Sequence, residues 1–253
     1  MNINVGADPE LFVCDARGKF ISAIGMIGGT KEKPRKIRKD GCAVQEDNVA
    51  CEFNIPPANE VDKFIESINF NLDYLTKVVA KKGLSLSITA SAEFDLDQLK
   101  HPKAMEFGCE PDFNCWTMTY NPKPSSINRQ LRSSGGHVHC EIDKPPFLFA
   151  RYLDLFLGIP SITLDEDTRR RELYGKAGAC RPKSYGVEYR TLSNFWLKSD
   201  ELKAWVFNQV QRAHQFMIDL KFDGLDHEEK RFQHCINTSD KGLMKNIMAE
   251  YGI

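Results

Sequence analysis

The order of apolar and polar positions along the chain divides it into strands, helices and loops. Over residues 2–14, Val5, Ala7, Leu11 and Val13 fall on one face, the alternation of a strand that runs through Asp8-Pro9-Glu10. Residues 49–55 read as a second strand, stopped by Pro56-Pro57. Beyond it Val61, Phe64, Ile65, Ile68, Leu72, Leu75, Val78 and Val79 recur at helical spacing. The spacing predicts a helix over 59–82, with Asn59 as its N-cap and Gly83 in the usual C-cap position. Residues 84–94 alternate again. Residues 96–134 are mixed, with turns at Pro102, Pro111, Pro122 and Pro124. Further strands are predicted over 136–142 and 185–192. An apolar helix is predicted over 147–158, and a long one over 200–220 capped by Ser199. One or two short helices close the chain. No repeat or linker interrupts the pattern, so residues 1–253 are expected to form a single α+β domain, a curved, mainly antiparallel sheet with helices on its convex face.

Composition narrows the function. The chain has 253 residues, 42% hydrophobic and 27% charged, as in an ordinary folded domain. Thirty-four basic side chains against 35 acidic ones leave a net charge of -1, so nothing global indicates nucleic acid. The start has no basic segment followed by an apolar one, and no apolar run approaches the roughly 20 residues needed to cross a bilayer. The eight cysteines are scattered without a C-x-x-C pair and read as reduced, mostly buried thiols. A cytoplasmic location is expected, with no membrane partner; the oligomeric state is left open.

Chemistry enters where polar pairs interrupt the strands. Asp8/Glu10, Glu52/Asn54, His137/His139 and Glu188/Arg190 are each two residues apart, so each pair shares one face of its strand. A solvated strand gives one such pair routinely. Four pairs dominated by carboxylate and imidazole converge on a cation, because carboxylates crowded on one face raise each other's pKa unless a positive charge sits between them. The oxygen-rich set suits Mg²⁺ or Mn²⁺ better than zinc. Such a site with arginine beside it is what phosphoryl transfer requires. Repulsion alone also predicts that Glu188→Ala leaves the metal-free protein at least as stable as before. The G-x-x-x-x-G-K-[ST], G-x-G-x-x-G and G-x-S-x-G patterns are missing.

These segments resemble the glutamine synthetase-like ligases. Gly6-Ala7-Asp8-Pro9-Glu10-Leu11-Phe12 is similar to that family's first metal-binding strand, Ser134-Gly135-Gly136-His137-Val138-His139 to its Gly-rich His-x-His strand, and Val187-Glu188-Tyr189-Arg190 with Ser193-Asn194-Phe195-Trp196 to its Glu-x-Arg strand. The order along the chain is also the family's. Within it the chain most resembles the small phage-encoded carboxylate-amine ligases, through Glu-Phe-Asn-Ile-Pro-Pro-Ala, Gly-Cys-x-Pro-Asp-Phe-Asn and Tyr-Gly-x-Glu-Tyr-Arg. The resemblance spans roughly residues 3–196. Asp8 stands in place of the family's glutamate, and the separate N-terminal domain of the classical synthetases is not seen.

The resemblance implies two metal positions in one funnel. Glu10, Glu46 and Glu52 would hold the metal nearer the substrate, with Asp47 as the alternative to Glu46. Asp8, His137 and Glu188 would hold the metal on the ATP phosphates. Arg181 and Arg190 would meet the transferred phosphoryl group, with Glu52 counted beside them in the catalytic set. Lys183 and Arg171 would also contact the nucleotide. ATP would phosphorylate a carboxylate, and an amine would displace phosphate to give an amide. His139 is read as supporting substrate or sheet rather than as a ligand. His101, His214, His227 and His234 carry no pattern. The basic loop 31–39 would either clamp phosphates or be solvated, and Glu110 to Asn114 would either orient the amine or form a turn. Two other classes remain open: a metal-dependent hydrolase built on His137/His139, and a non-catalytic phage protein that keeps the ligase fold.

Overall fold

The computed structural model describes residues 2–105, 111–122, 128–143, 145–221 and 223–253. Cys109, Glu110 and the turn at Pro124 lie outside them. The strand expected over 2–14 is two strands, β1 (Val5–Ala7) and β2 (Glu10–Cys14). Pro9 has no N–H to contribute to a ladder, so the strand breaks there. Hydrogen bonds nonetheless continue across the break: Asp8 N–H to His137 O, Glu10 N–H to Gly135 O, Phe53 N–H to Pro9 O and Ile55 N–H to Ala7 O. The break is also a junction, because β1 and β2 belong to different sheets.

The β2 sheet contains β3 (Phe20–Ile21), β4 (Arg35–Lys36), β5 (Ala43–Asp47), β6 (Ala50–Asn54) and β7 (Ser85–Ser87). Its order is β3-β2-β6-β5-β4, with β7 also pairing β2. Helix α1 (Val61–Ala80) lies between β6 and β7 in sequence. Its N-cap is Glu60 and not Asn59, and no side chain caps it. Gly83 ends it in the left-handed region, φ +71°, as expected.

Next come β8 (Ser91–Glu93), the short α2 (Pro102–Met105), β9 (Phe113–Asn114), β10 (Thr119–Tyr120), β11 (Leu131–Ser133) and β12 (Val138–Glu141). The apolar helix α3 (Pro146–Leu153) widens into a π-turn over Asp154–Gly158, and α4 (Ser161–Leu164) and α5 (Arg170–Leu173) follow. Then β13 (Ala179–Lys183), β14 (Gly186–Tyr189), α6 (Asp200–Asp219), α7 (Glu229–Thr238) and α8 (Lys241–Tyr251) complete the chain. Ser199 caps α6 through its hydroxyl, as its sequence predicts. The second sheet runs β1-β12-β14-β13-β9-β10, and β8 pairs β11 apart from both. Every pairing is antiparallel.

One strand face carries Val5, Ala7, Leu11, Val13, Phe53, Val138, Cys140, Val187 and Tyr189, all buried in the core that also contains α1, α3 and α6. The stretch Pro146–Leu164, 19 residues, is long and apolar enough by length and composition to cross a membrane, contrary to the count made on the sequence. It is 72% buried inside the fold, so its apolar surface is spent on the core. A smaller core of Phe12, Val49, Ala50, Ala92, Phe94, Leu99 and Ala104 closes one end of the opposite face. The remainder of that face is left to polar side chains.

Candidate active site

Strand parity brings the polar pairs to one cleft. Asp8, Glu10, Asp47, Glu52, His137, His139, Arg181, Lys183, Glu188 and Arg190 all line it. Two clusters stand out among the described residues. In one, Glu10, Asp47 and Glu52 each offer an oxygen within 4.8 Å of the others; in the second, Asp8, His139 and Glu188 do the same. The Asp8/Glu10 pair is therefore divided, one carboxylate to each cluster.

Three of the sequence assignments need correction. Glu46 faces away from the cleft. Its carboxylate accepts the N–H groups of Gly25 (2.9 Å), Ile27 (3.1 Å) and Gly28 (2.9 Å), which folds the preceding loop onto β5. Alternation on β5 leaves Asp47 facing Glu10 and Glu52, so Asp47 takes the place given to Glu46. Arg171 points elsewhere as well and donates to the Ser239 hydroxyl at 2.8 Å. Its neighbour Arg170 turns toward the site and lines an adjoining cavity with Glu10, Asp47, Arg132, His137 and Arg190.

Arg170 is a staple. Its guanidinium donates to the carbonyls of Ser134, Thr191 and Arg190 at 2.9, 3.0 and 3.1 Å, joining the approach to β12 to the exit from β14. Burial pulls its pKa down to about 10, so it remains charged at neutral pH. Gly135 is required for a different reason: a Cβ there would collide with the His137 ring.

The two clusters differ in charge balance. Glu52 is 4% exposed; burial first, then Asp8, Asp47 and Glu10, push its pKa well above the carboxylate range. Burial and the Glu10 charge raise Asp47 also, and Lys31 stands 3.9 Å from it. Glu188 is 1% exposed, and burial alone would raise it. Arg190 and the imidazoles of His137 and His139 outweigh that and hold it at about 2. Lys183 Nζ lies 2.7 Å from Glu188, Arg181 is 3.7 Å away and His137 3.8 Å, while Arg190 bonds it directly. Asp8 is likewise driven down, against the effect of burial, by His139 at 2.9 Å and His137 at 3.5 Å. Burial lowers the His139 pKa, but the Asp8 charge, the Asp8 hydrogen bond and the Glu188 charge together outweigh it and leave it raised.

Arg190 joins the two halves. Its Nε donates to Asp112 Oδ1 at 2.6 Å, and its Nη1 reaches Glu188 and His137 Nδ1. Asp112 carries no strand-pair signature, and only its position in the Gly-Cys-x-Pro-Asp-Phe-Asn motif singles it out. Of the basic loop, Lys31 lines the cleft, whereas Arg38 is tied to Glu66 and Ser67 on α1. The imidazole assignment is corrected too: His139, read as a support and not a ligand, is the imidazole grouped with Asp8 and Glu188, in the place given to His137, while His137 Nδ1 meets Arg190.

Residues 126–251 match the family model described as phage phiEco32-like COOH.NH2 ligase-type 2. The chain is a carboxylate-amine ligase of this phage type. The match takes in the His-x-His and Glu-x-Arg strands, β13 and the helices behind them, about half of the chain; the acidic strands β2, β5 and β6 precede it. No curated relative matches the ligase. Two solved structures are similar over nearly its whole length. "Apo GmaS without ligand" is 12% identical, with TM-score 0.42 over 100% of this chain and 69% of that one. "Crystal structure of novel glutamine synthase homolog" is 10% identical, with TM-score 0.33 over 98% and 67%. Likeness of this degree is too slight to carry a functional inference. The hydrolase alternative wants a parallel eight-fold β/α barrel, and the antiparallel sheets of this ligase do not form one.

Proposed function

We propose that the ligase is ATP-dependent and works through an acyl phosphate, with divalent cations in the two clusters. The observation that carries this reading is the pair of clusters on one face with Arg190 between them. The donor set fits the group. Glu10, Asp47 and Glu52 offer only carboxylate oxygens, Asp8 and Glu188 add two more with one imidazole, and Mg²⁺ and Mn²⁺ favour such ligands. The crowding of carboxylates around buried Glu52 also suits a cation. Bound there, Mg²⁺ or Mn²⁺ would neutralise phosphate charge and polarise the transferred group.

The protein's own groups do the rest. Arg181 and Lys183 flank Glu188 on the nucleotide side. A mainly apolar cavity lined by Ile55, Pro57, His139 and Tyr185 would take the base. The cavity lined by Phe12, Arg132, Leu173 and Tyr174 opens on the Glu10 side and takes the acceptor carboxylate. A carboxylate oxygen attacks the γ-phosphorus and ADP leaves. Arg190, fixed by Asp112, takes up charge on the phosphoryl oxygens as that bond breaks. The amine then attacks the acyl carbon, loses a proton to solvent, and phosphate departs with the former carboxylate oxygen, so cleavage of ATP to ADP and phosphate drives amide formation. Incubation with ATP, Mg²⁺ and pooled amino acids is expected to release phosphate and give a product one water lighter than its two substrates. Amide formation that proceeds without ATP would overturn the reading, as would no condensation across a broad panel of acids and amines.

A further inference from the structure

Helix α3 carries an unexpected charge. Within the apolar run 147–158, Asp154 is fully buried, and among the described residues no Lys, Arg or His lies within 4 Å of its carboxylate. An unpaired buried carboxylate opposes folding. Donors nonetheless converge on it. Oδ1 accepts from the Tyr189 hydroxyl at 2.6 Å and Oδ2 from the Trp116 indole N–H at 2.6 Å, and the Gly178 backbone N–H is also directed at the carboxylate; the Thr191 hydroxyl lies 3.4 Å from Oδ1 but donates to the Lys176 carbonyl at 3.0 Å. The helix is also reshaped here. Its π-turn begins at Asp154 and ends at Gly158, where a Cβ would collide with the Tyr189 hydroxyl. Carboxylate and glycine thus form a notch for that hydroxyl, and π-turns are frequent near functional sites.

These side chains come from the segments that carry Arg190 and Asp112. Tyr189 and Thr191 stand on either side of Arg190 in sequence and face the opposite way. Trp116 follows the strand Phe113–Asn114, which is preceded by Asp112, and its own N–H is fixed by the Asn114 side chain at 2.8 Å. In front, Arg190 and Asp112 grip each other. Behind, the same two segments are drawn together on one carboxylate. We propose that Asp154 is a positioning residue that sets the Arg190–Asp112 pair for phosphoryl transfer; the inference rests on the ligase reading above.

Asp154→Asn keeps the shape and removes the charge. It is expected to lower kcat about ten- to a hundredfold, as a small displacement of a charge-stabilising group does, while KM for ATP holds and Tm is unchanged or higher. In the proton–nitrogen NMR spectrum the Arg190 Nε–H signal should shift and exchange faster. Tyr189→Phe should act in the same direction, with the double variant no worse than the more impaired single one. If Asp154→Asn does not fold, Tyr189→Phe and Thr191→Val carry the test alone. A kcat within twofold of wild type with the Arg190 signal unmoved would leave Asp154 a core residue and overturn the proposal. Should wild type condense no substrates at all, the ligase reading falls, and the Arg190 signal still decides whether Asp154 positions the pair.

Discussion

Glu52 and Glu188 are both buried carboxylates facing one cleft, yet their surroundings oppose each other. Around Glu52 stand Glu10, Asp47 and Asp8; around Glu188 stand Arg190, Lys183, Arg181 and two imidazoles. The first cluster accumulates like charge, while the second has its countercharges built in. Acidity shared by two sites on one sheet therefore implies nothing about how each is stabilised. One depends on what it binds, and the other is fixed by the fold.

The largest expected effect tests the prearranged side. Arg190→Lys keeps the charge but loses the fork that reaches Asp112, Glu188 and His137 together. Phosphate release at saturating ATP should fall on the order of 10³-fold. A rate near wild type would remove Arg190 from the chemistry. Melting curves without metal sharpen the contrast next. Glu188→Gln should melt below wild type by roughly 1–3 kcal/mol, because Arg190 loses one of its two carboxylate partners and Lys183 its nearest one, or about 5 °C in Tm. Glu52→Gln should melt at or above wild type and lose the Tm increase that Mg²⁺ or Mn²⁺ gives the parent. If both variants melt alike, the two clusters are not different in kind. The smallest effect separates neighbours on β5. Asp47→Asn should weaken Mn²⁺ binding, followed by titration calorimetry, by at least about tenfold. Glu46→Gln should leave that affinity intact and cost about 1–3 kcal/mol through the loop N–H groups it holds.

The pairs two apart are legible because strand parity is local: given a strand, Asp8, Glu10, His137, Glu188 and Arg190 must share a face. What fails is what parity does not see. The hairpin of β5 and β6 turns at Asn48, φ +52°, and without β5 as a strand the choice between Glu46 and Asp47 has no local signal. Arg170 and Arg171 differ by one residue on a single helical turn, so which one turns inward depends on how α5 docks. Repulsion counted along the sequence predicts that losing Glu188 costs nothing without metal. Buried Arg190 and half-buried Lys183 beside it predict the opposite sign, since countercharges from β13 and β14 meet only in the folded sheet. Asp154 is visible as a charge in an apolar helix, but its donors Trp116, Gly178 and Tyr189 come from segments far apart in sequence.

Strand β14 is used on both sides. Glu188 and Arg190 line the cleft, Tyr189 and Thr191 face Asp154, and Gly186 packs so closely on β12 that a side chain would strike the Cys140 carbonyl. From Gly186 to Thr191 no position points to solvent, all six being buried. For this strand the familiar alternation of constrained and permissive positions vanishes. A lineage exploring new substrates can vary the loops and cavity walls, but it inherits these six residues as one indivisible word.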